Sequence, residues 1–290
     1  MSKNTTEVLC GVDIGGAHIT ASFINRDTCS VDATTIQRIH VDAHADANTI
    51  LDTWSYFLSF FTQKGQAQIG IAMPGPFDYE KGISLIKGQA KYESLYGHNV
   101  KEGLAKRLGI DVADIIMYND AACFLKGEVI GGSAQGYHHV AGVTLGTGLG
   151  SAVFHEGDVL NADLWCTPFK DGIAESYLST RWIVARYEQL TGVKLPNVLA
   201  LTAYLPANPF AQQVFNEFGH NLGLFLLDFA KREQVEAVIL GGNIANAGVF
   251  FLEALNDVLQ KGHTTLPIHI SGLGEQASLL GSVYSFLLEA

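Results

Sequence analysis

The chain has 290 residues, about twice the length of a typical domain, so two domains or one large α/β domain are expected. Apolar residues make up 48% and charged residues 16%, which supplies a sizeable core and excludes a disordered chain. Eighteen basic residues against 29 acidic ones give a net charge of −11 with no basic cluster, which argues against binding a nucleic-acid backbone or an anionic membrane surface.

Glycine is the compositional outlier, with 31 residues beside only seven prolines, against a usual glycine share of about 7%. The four cysteines, Cys10, Cys29, Cys123 and Cys166, are widely spaced and form no CxxC pair. Neither a disulfide framework nor a zinc knuckle is written there, and a cytoplasmic protein is expected. The N-terminal residues lack the apolar stretch of a signal peptide. No apolar run reaches the ~18 residues of a membrane span. The greasiest segment, Asn221 to Ala230, is interrupted by Asp228 and followed by Lys231 and Arg232, which reads as a buried helix.

Glu7 to Asp13 and Ile19 to Ile24 predict two strands of a hairpin with Gly15-Gly16 at its tip. Thr49 to Gln63 has helical spacing in Ile50, Leu51, Trp54, Phe57, Leu58 and Phe61, and Gln68 to Ala72 reads as a strand running into Pro74-Gly75-Pro76. Val100 to Leu108 predicts a helix stopped by Gly109. Asp114 to Tyr118 predicts a strand that delivers Asn119-Asp120 to its carboxyl end, before a helix over Ala121 to Ile130. Strands at Val140 to Leu145 and Ser151 to His155 flank GTGLG at 146–150, repeating the opening arrangement. Long helices are expected at Ser176 to Leu190 and Phe210 to Lys231, with a strand from Ala237 to Leu240 ending at Gly241-Gly242. Helices at Val249 to Leu259 and Gln276 to Glu289 close the chain. Two related α/β halves are the economical explanation. The expected division is 1–117 plus 276–290 for one lobe and 118–275 for the other, with the closing helix packed back on the first.

Three glycine turns follow strands: Gly15-Gly16, Gly146-Thr147-Gly148 and Gly241-Gly242. Backbone amides at such turns can approach phosphate oxygens because no Cβ intervenes, although any one of them is equally a tight structural turn. Neither GxGxxG nor GxxxxGK[ST] stands at a strand-to-helix junction, so the usual dinucleotide and P-loop readings lose their support. Asp13, at a strand end, is either a turn former or a carboxylate that holds Mg²⁺ through its waters beside a triphosphate. Asp120 is either a helix N-cap or a base for a substrate hydroxyl in phosphoryl transfer. The histidines show no HExxH-like spacing and there is no GxSxG elbow, so a catalytic metal site or covalent hydrolase chemistry is not expected.

Together these segments resemble the ROK family, bacterial sugar kinases and related sugar-responsive repressors within the actin-like/hexokinase ATPase superfamily. VDIGGAHITASFI is similar to the family's first phosphate motif, IAMPGPFDYEKG to its proline-glycine segment and YNDAACFLKGE to its Asn-Asp catalytic segment. GVTLGTGLGSAVFHEGDVL is similar to the second phosphate motif, AVILGGNIANAG to the adenosine motif and GEQASLLGSVYSFL to the closing helix.

The resemblance implies two RNase H-like α/β lobes around a central cleft, ATP as cofactor with Mg²⁺, a small-molecule sugar as substrate and a possible homodimer. It makes Asp120 the catalytic base, with Asn119, Gly75, Asp163, Glu175 and Gln89 on the sugar side. Asp13 would lie near Mg²⁺, with Gly15 and Gly16 against the transferred phosphate. Gly146, Thr147 and Gly148 would contact the other phosphates, and Gly241 and Gly242 would lie under the nucleotide.

The departures are as informative. Ala17 and His18 stand where the family motif carries a hydroxyl and an ammonium. The family's ExGH segment and cysteine-rich zinc loop are replaced by ADLWCTPFKDGIAESYLS, in which Asp163 aligns with the Glu of ExGH, Cys166 with its His and Glu175 with the loop's terminal Glu. With three zinc cysteines missing, no zinc is expected. In the rebuilt segment KGQAKYESLYGHNV, Gln89, Lys91 and Tyr92 are either polar sugar contacts or part of a solvated loop. The reading is an ATP-dependent kinase for a hexose or N-acetylhexosamine hydroxyl, with a non-catalytic sugar or nucleotide sensor as its alternative. The first motif begins too close to the start for an N-terminal helix-turn-helix, so a DNA-binding repressor is not expected.

Overall fold

The computed structural model describes residues 8–62, 67–89 and 91–288. Glu7, Gln63 and Glu289, the outer residues of three expected elements, and the start of the segment read for a signal peptide lie outside them. In chain order the strands and helices are β1 (Val8–Ile14), β2 (His18–Asn25), β3 (Ser30–Val31), β4 (Gln37–His40), α1 (Ala47–Thr62), β5 (Ala67–Met73), β6 (Phe77–Asp78), β7 (Ile83–Ser84), α2 (Val100–Leu108), β8 (Ile115–Asn119) and α3 (Asp120–Gly131). They continue with β9 (His139–Leu145), β10 (Leu149–His155), β11 (Asp158–Asn161), β12 (Pro168–Phe169), β13 (Gly172–Ile173), α4 (Ala174–Tyr177), α5 (Thr180–Thr191), α6 (Val198–Thr202) and α7 (Pro209–Glu233). The last are β14 (Ala237–Gly241), α8 (Leu252–Lys261), β15 (Ile268–Ile270), α9 (Gln276–Ser282) and α10 (Tyr284–Leu288).

The chain forms two compact units, one running to Gly131 and rejoined from Glu275 onward, the other spanning Gly132–Gly274. In the first, the sheet order is β3-β2-β1-β5-β8, with β4 also paired to β2. β1 runs antiparallel to β2 and parallel to β5, and β5 is parallel to β8. The second unit repeats this with the order β11-β10-β9-β14-β15, again an antiparallel meander followed by two parallel strands. Each unit is thus an RNase H-like α/β fold with its own apolar core.

The elements form for local reasons. α1 turns Ile50, Leu51, Trp54, Phe57, Leu58 and Phe61 to the core at helical spacing, and the Asp46 carboxylate accepts from the amides of Asn48 and Thr49 at 3.0 and 3.1 Å. α2 starts on the Asn99 cap and ends at Gly109 in the left-handed region, φ 69°. The greasy segment around 221–230 lies within α7, where Asn221, Leu222, Phe225, Leu226 and Phe229 are buried. Among the described residues, no helix is long and apolar enough to cross a membrane.

Three expectations need correction. The helix expected over 176–190 is two, because Ser179 is extended (φ −133°, ψ 162°) and the amide of Thr180 donates to the carbonyl of Gly146 at 2.8 Å. The closing helix is likewise interrupted at Val283, φ −98° and ψ 13°. The boundary between units falls after α3 rather than near residue 117, because α3 and α9 meet backbone to backbone. A Cβ on Gly281 would stand 1.8 Å from the Cys123 carbonyl oxygen, and one on Gly127 2.0 Å from that of Ala277. Part of the glycine excess therefore serves helix packing.

Candidate functional site

In the first unit the candidate residues converge at the carboxyl ends of β1, β5 and β8. Parallel pairing sets Asp13 opposite Ala72, Ala72 opposite Tyr118 and Met73 opposite Asn119. Asp13 is half-buried, and no group among the described residues donates a hydrogen bond to its carboxylate. Burial, reinforced by the nearby Asp120 charge, raises its pKa from 3.8 to about 7; Arg38 opposes the shift and Glu275 adds to it. Two carboxylates that each suffer from the other's charge suit a hard divalent cation. No group of three His, Cys, Asp or Glu at metal-ligand placement occurs among the described residues. One or two carboxylates completed by waters and phosphate oxygens is the usual Mg²⁺ environment, and the donors here fit it.

The two readings of Asp120 separate in the structure. The cap of α3 is Asn119, whose Oδ1 accepts from the amides of Ala121 (2.9 Å) and Ala122 (3.3 Å). Asp120 is the first helical residue; one of its oxygens also accepts from Ala121, at 2.9 Å. The Asn119 amide is fixed at its other end, donating to the Tyr79 hydroxyl at 3.1 Å, and Tyr79 donates to the Met73 carbonyl at 3.0 Å. Gly75 belongs to the same cluster, since a Cβ there would sit 3.0 Å from the Tyr79 hydroxyl and 3.8 Å from the Asn119 amide nitrogen.

The glycine hairpin closes through the Gly15 amide, which donates to the His18 carbonyl at 2.9 Å. A Cβ on Gly15 would meet the His18 ring at 2.7 Å. Burial, and then the Arg38 charge, lowers the pKa of His18, so its ring does not replace a cation here. Behind the hairpin stands Tyr92, whose burial departs from both readings of it, the polar sugar contact and the solvated loop. It is fully buried, holds a left-handed backbone at φ 53°, packs edge-on against Trp54 and donates its hydroxyl to the Gly15 carbonyl at 2.7 Å. Burial and the neighbouring Asp13 charge push its pKa up. Gln89, by contrast, is exposed.

The second unit carries the remaining candidates. Its hairpin between β9 and β10 is closed by the Gly146 amide donating to the Gly148 carbonyl at 3.0 Å, with open space where a Gly146 Cβ would point and Thr147 exposed. Glu175 lies against this turn: its Oε2 accepts from the Leu149 amide at 3.1 Å, and its carboxylate pairs with Arg181 at 3.6 Å. A Gly148 Cβ would stand 2.6 Å from the same oxygen. Gly241 ends β14. Gly242, at φ 82°, brings its backbone so close to Leu145 that a Cβ would lie 2.4 Å from that carbonyl oxygen. Asp163 is exposed, accepts from the Asn161 amide at 2.8 Å, and precedes a short turn containing the exposed Cys166.

Arg38, Tyr79 and Glu275 escaped the reading of the sequence. Arg38 lies on an edge strand of four residues, Tyr79 is bonded to the Asn119 amide, and Glu275 is 262 positions from Asp13 in the chain. No signal in the sequence marks Arg38; only strand register makes it a neighbour of Asp13.

Two RNase H-like units, with an Asp-Gly-Gly hairpin and an Asn-Asp pair at the strand ends of the first, define the class as an actin-like ATPase fold. The family model for the ROK family matches residues 9–163, more than half of the chain, and the protein belongs to that family. It is 26% identical over 262 residues to a beta-glucoside kinase of Listeria innocua, covering 84% of this chain and 87% of the relative. It is 24% identical over 271 residues to an N-acetyl-D-glucosamine kinase of Vibrio atlanticus, covering 84% and 86% respectively. Its fold matches that of a ROK family glucokinase from Streptomyces griseus in complex with glucose and AMPPNP, with a TM-score of 0.79, 20% identity and coverage of 98% and 100%.

Proposed function

We propose that the protein is an ATP-dependent sugar kinase that phosphorylates a hydroxyl of a hexose, N-acetylhexosamine or related glucoside. The observation that carries this reading is the division of labour at β8 and α3. Asn119 provides the helix cap, while the neighbouring Asp120 places a carboxylate beside Asp13. In the reaction, Asp120 accepts the proton of the sugar hydroxyl as that oxygen forms its bond to the terminal phosphorus of ATP. The bond from that phosphorus to the bridging oxygen breaks, and ADP leaves with the electron pair. Mg²⁺, when bound, would neutralise charge on the phosphate oxygens; Asp13 would hold it through water, with Asp120 nearby.

Asn119, fixed by Tyr79 and by the amides it caps, orients a sugar hydroxyl for Asp120, with Gly75 beside it. The hairpin at Gly15-Gly16 faces the transferred phosphoryl group. Gly146, Thr147, Gly148, Gly241 and Gly242, in the second unit, serve the rest of the nucleotide. Glu175 and Asp163 are proposed sugar contacts; the Glu175 carboxylate already accepts from the Leu149 amide and pairs with Arg181. The named relatives, a beta-glucoside kinase and an N-acetyl-D-glucosamine kinase, act on different members of this sugar class.

A second reading, a sugar or nucleotide sensor without turnover, draws on the hairpin itself, where Ala17 and an uncharged His18 replace a hydroxyl and an ammonium. A coupled ADP assay over hexoses, N-acetylhexosamines and β-glucosides separates the two. Sugar-dependent ADP formation with a phosphorylated product supports the kinase, whereas calorimetric binding of sugar or nucleotide with no product supports the sensor.

A further inference from the structure

The hairpin of the proposed kinase has lost the cation that a polyphosphate calls for, and the structure holds one in another place. Strand register aligns three residues: Asp13 on β1 pairs with Thr20 on β2, and Thr20 pairs with Arg38 on β4. Directly paired residues project to the same face of a sheet, so Asp13, Thr20 and Arg38 form one row running outward from the hairpin.

The guanidinium is fixed at two points. Its Nε donates to the Thr20 hydroxyl at 2.8 Å, and one Nη donates to Glu275 at 2.8 Å. Glu275 stands immediately before α9, so the fork is pinned between the sheet and the helix that covers it. The Arg38 side chain is 43% exposed and that of Glu275 71% exposed, so the pair is open to solvent and of small structural value. The second Nη has no hydrogen-bond partner among the described residues. A planar fork with some donors anchored and others without a partner among the described residues suits oxygen atoms of a phosphoryl group.

Charge balance leads to the same place. Asp120 and Glu275 add negative charge near Asp13, and Arg38 is the cation in register with Asp13, while the Lys91 side chain lies against Gly16. A triphosphate entering such a corner meets repulsion that a divalent cation offsets only in part.

We propose that Arg38 is a phosphate-contacting residue, held in register with Asp13 by Thr20 and Glu275, that binds the terminal phosphoryl group at the Gly15-Gly16 hairpin. The assignment rests on the kinase reading for the identity of its ligand. It gives the edge strand β4 a part in the reaction.

The test compares calorimetric binding of Mg·AMPPNP and Mg·ADP by the full chain as wild type, R38K, R38M and E275Q. A contact to the terminal phosphate predicts that R38M weakens AMPPNP about tenfold or more, the value of a lost charge-assisted hydrogen bond. ADP should then weaken by less than about threefold, and R38K should recover part of the loss. E275Q breaks the same ion pair but keeps the cation, so a purely structural role predicts that it reproduces R38M. Equal loss of both nucleotides in R38M, or unchanged binding of both, overturns the assignment. A wild type that shows the AMPPNP-selective loss in R38M yet phosphorylates no sugar supports Arg38 while refuting the kinase reading. A wild type that binds neither nucleotide refutes both.

Discussion

The Asp13 carboxylate should cost the unliganded protein stability, and replacing it should return that stability in a pH-dependent way. In the folded chain its pKa is raised from 3.8 to about 7, so between those values the unfolded chain releases a proton that the folded chain keeps. The folded state then binds more protons, and stability falls as pH rises through this window, reaching its full loss above pH 7. At about 1.4 kcal/mol per pH unit the whole shift corresponds to about 4 kcal/mol, and water at the half-buried carboxyl brings the expectation to about 2–4 kcal/mol. Asp13→Asn removes the titration while nearly keeping the shape. Urea unfolding without nucleotide or Mg²⁺ should find this variant more stable than wild type by about 2–4 kcal/mol at pH 8. Near pH 4 the difference should shrink towards zero. The same variant should lose most phosphoryl transfer, because the proposed Mg²⁺-bearing carboxylate is gone. An Asp13→Asn protein that is less stable than wild type at pH 8, or whose difference does not change between pH 4 and pH 8, would refute the account of this site.

Two further substitutions probe the supports of the glycine turns. Tyr92→Phe removes the hydroxyl that donates to the Gly15 carbonyl while keeping the ring on Trp54. A loss of about 1 kcal/mol in denaturant unfolding is expected, with a rise in the KM for ATP; an unchanged KM would mean that the hairpin keeps its shape without this bond. Gly242→Ala forces a side chain into a left-handed backbone and towards the Leu145 carbonyl, 2.4 Å from the new Cβ. It should destabilise the protein by about 1–3 kcal/mol or more and weaken AMPPNP in calorimetry.

The sequence carries most of the regular fold because its helices and inner strands repeat their apolar residues at clear periods. The helix at 47–62 and the strand at 139–145 are legible in this way. The breaks at Ser179 and Val283 are not, since both interrupt continuous apolar spacing through backbone contacts made elsewhere. Edge strand β4 is short, largely exposed and without alternation, so nothing in it marks Arg38 as a neighbour of Asp13. Tyr92 lies in a polar stretch, but its backbone is left-handed and its ring is buried edge-on against Trp54. Asn119 and Asp120 show both sides: their position at a strand end was legible, but only the hydrogen bonds of Asn119 assign the cap.

The central claim is that Asp120 is the base of a sugar kinase. The direct measurement is sugar-dependent formation of ADP and sugar phosphate by wild type and Asp120→Asn, with sugar affinity followed in parallel by calorimetry. The account predicts a fall in kcat of about a hundredfold or more, with sugar and Mg·AMPPNP still bound and the cap at Asn119 preserving the fold. Turnover close to that of wild type in Asp120→Asn would contradict it.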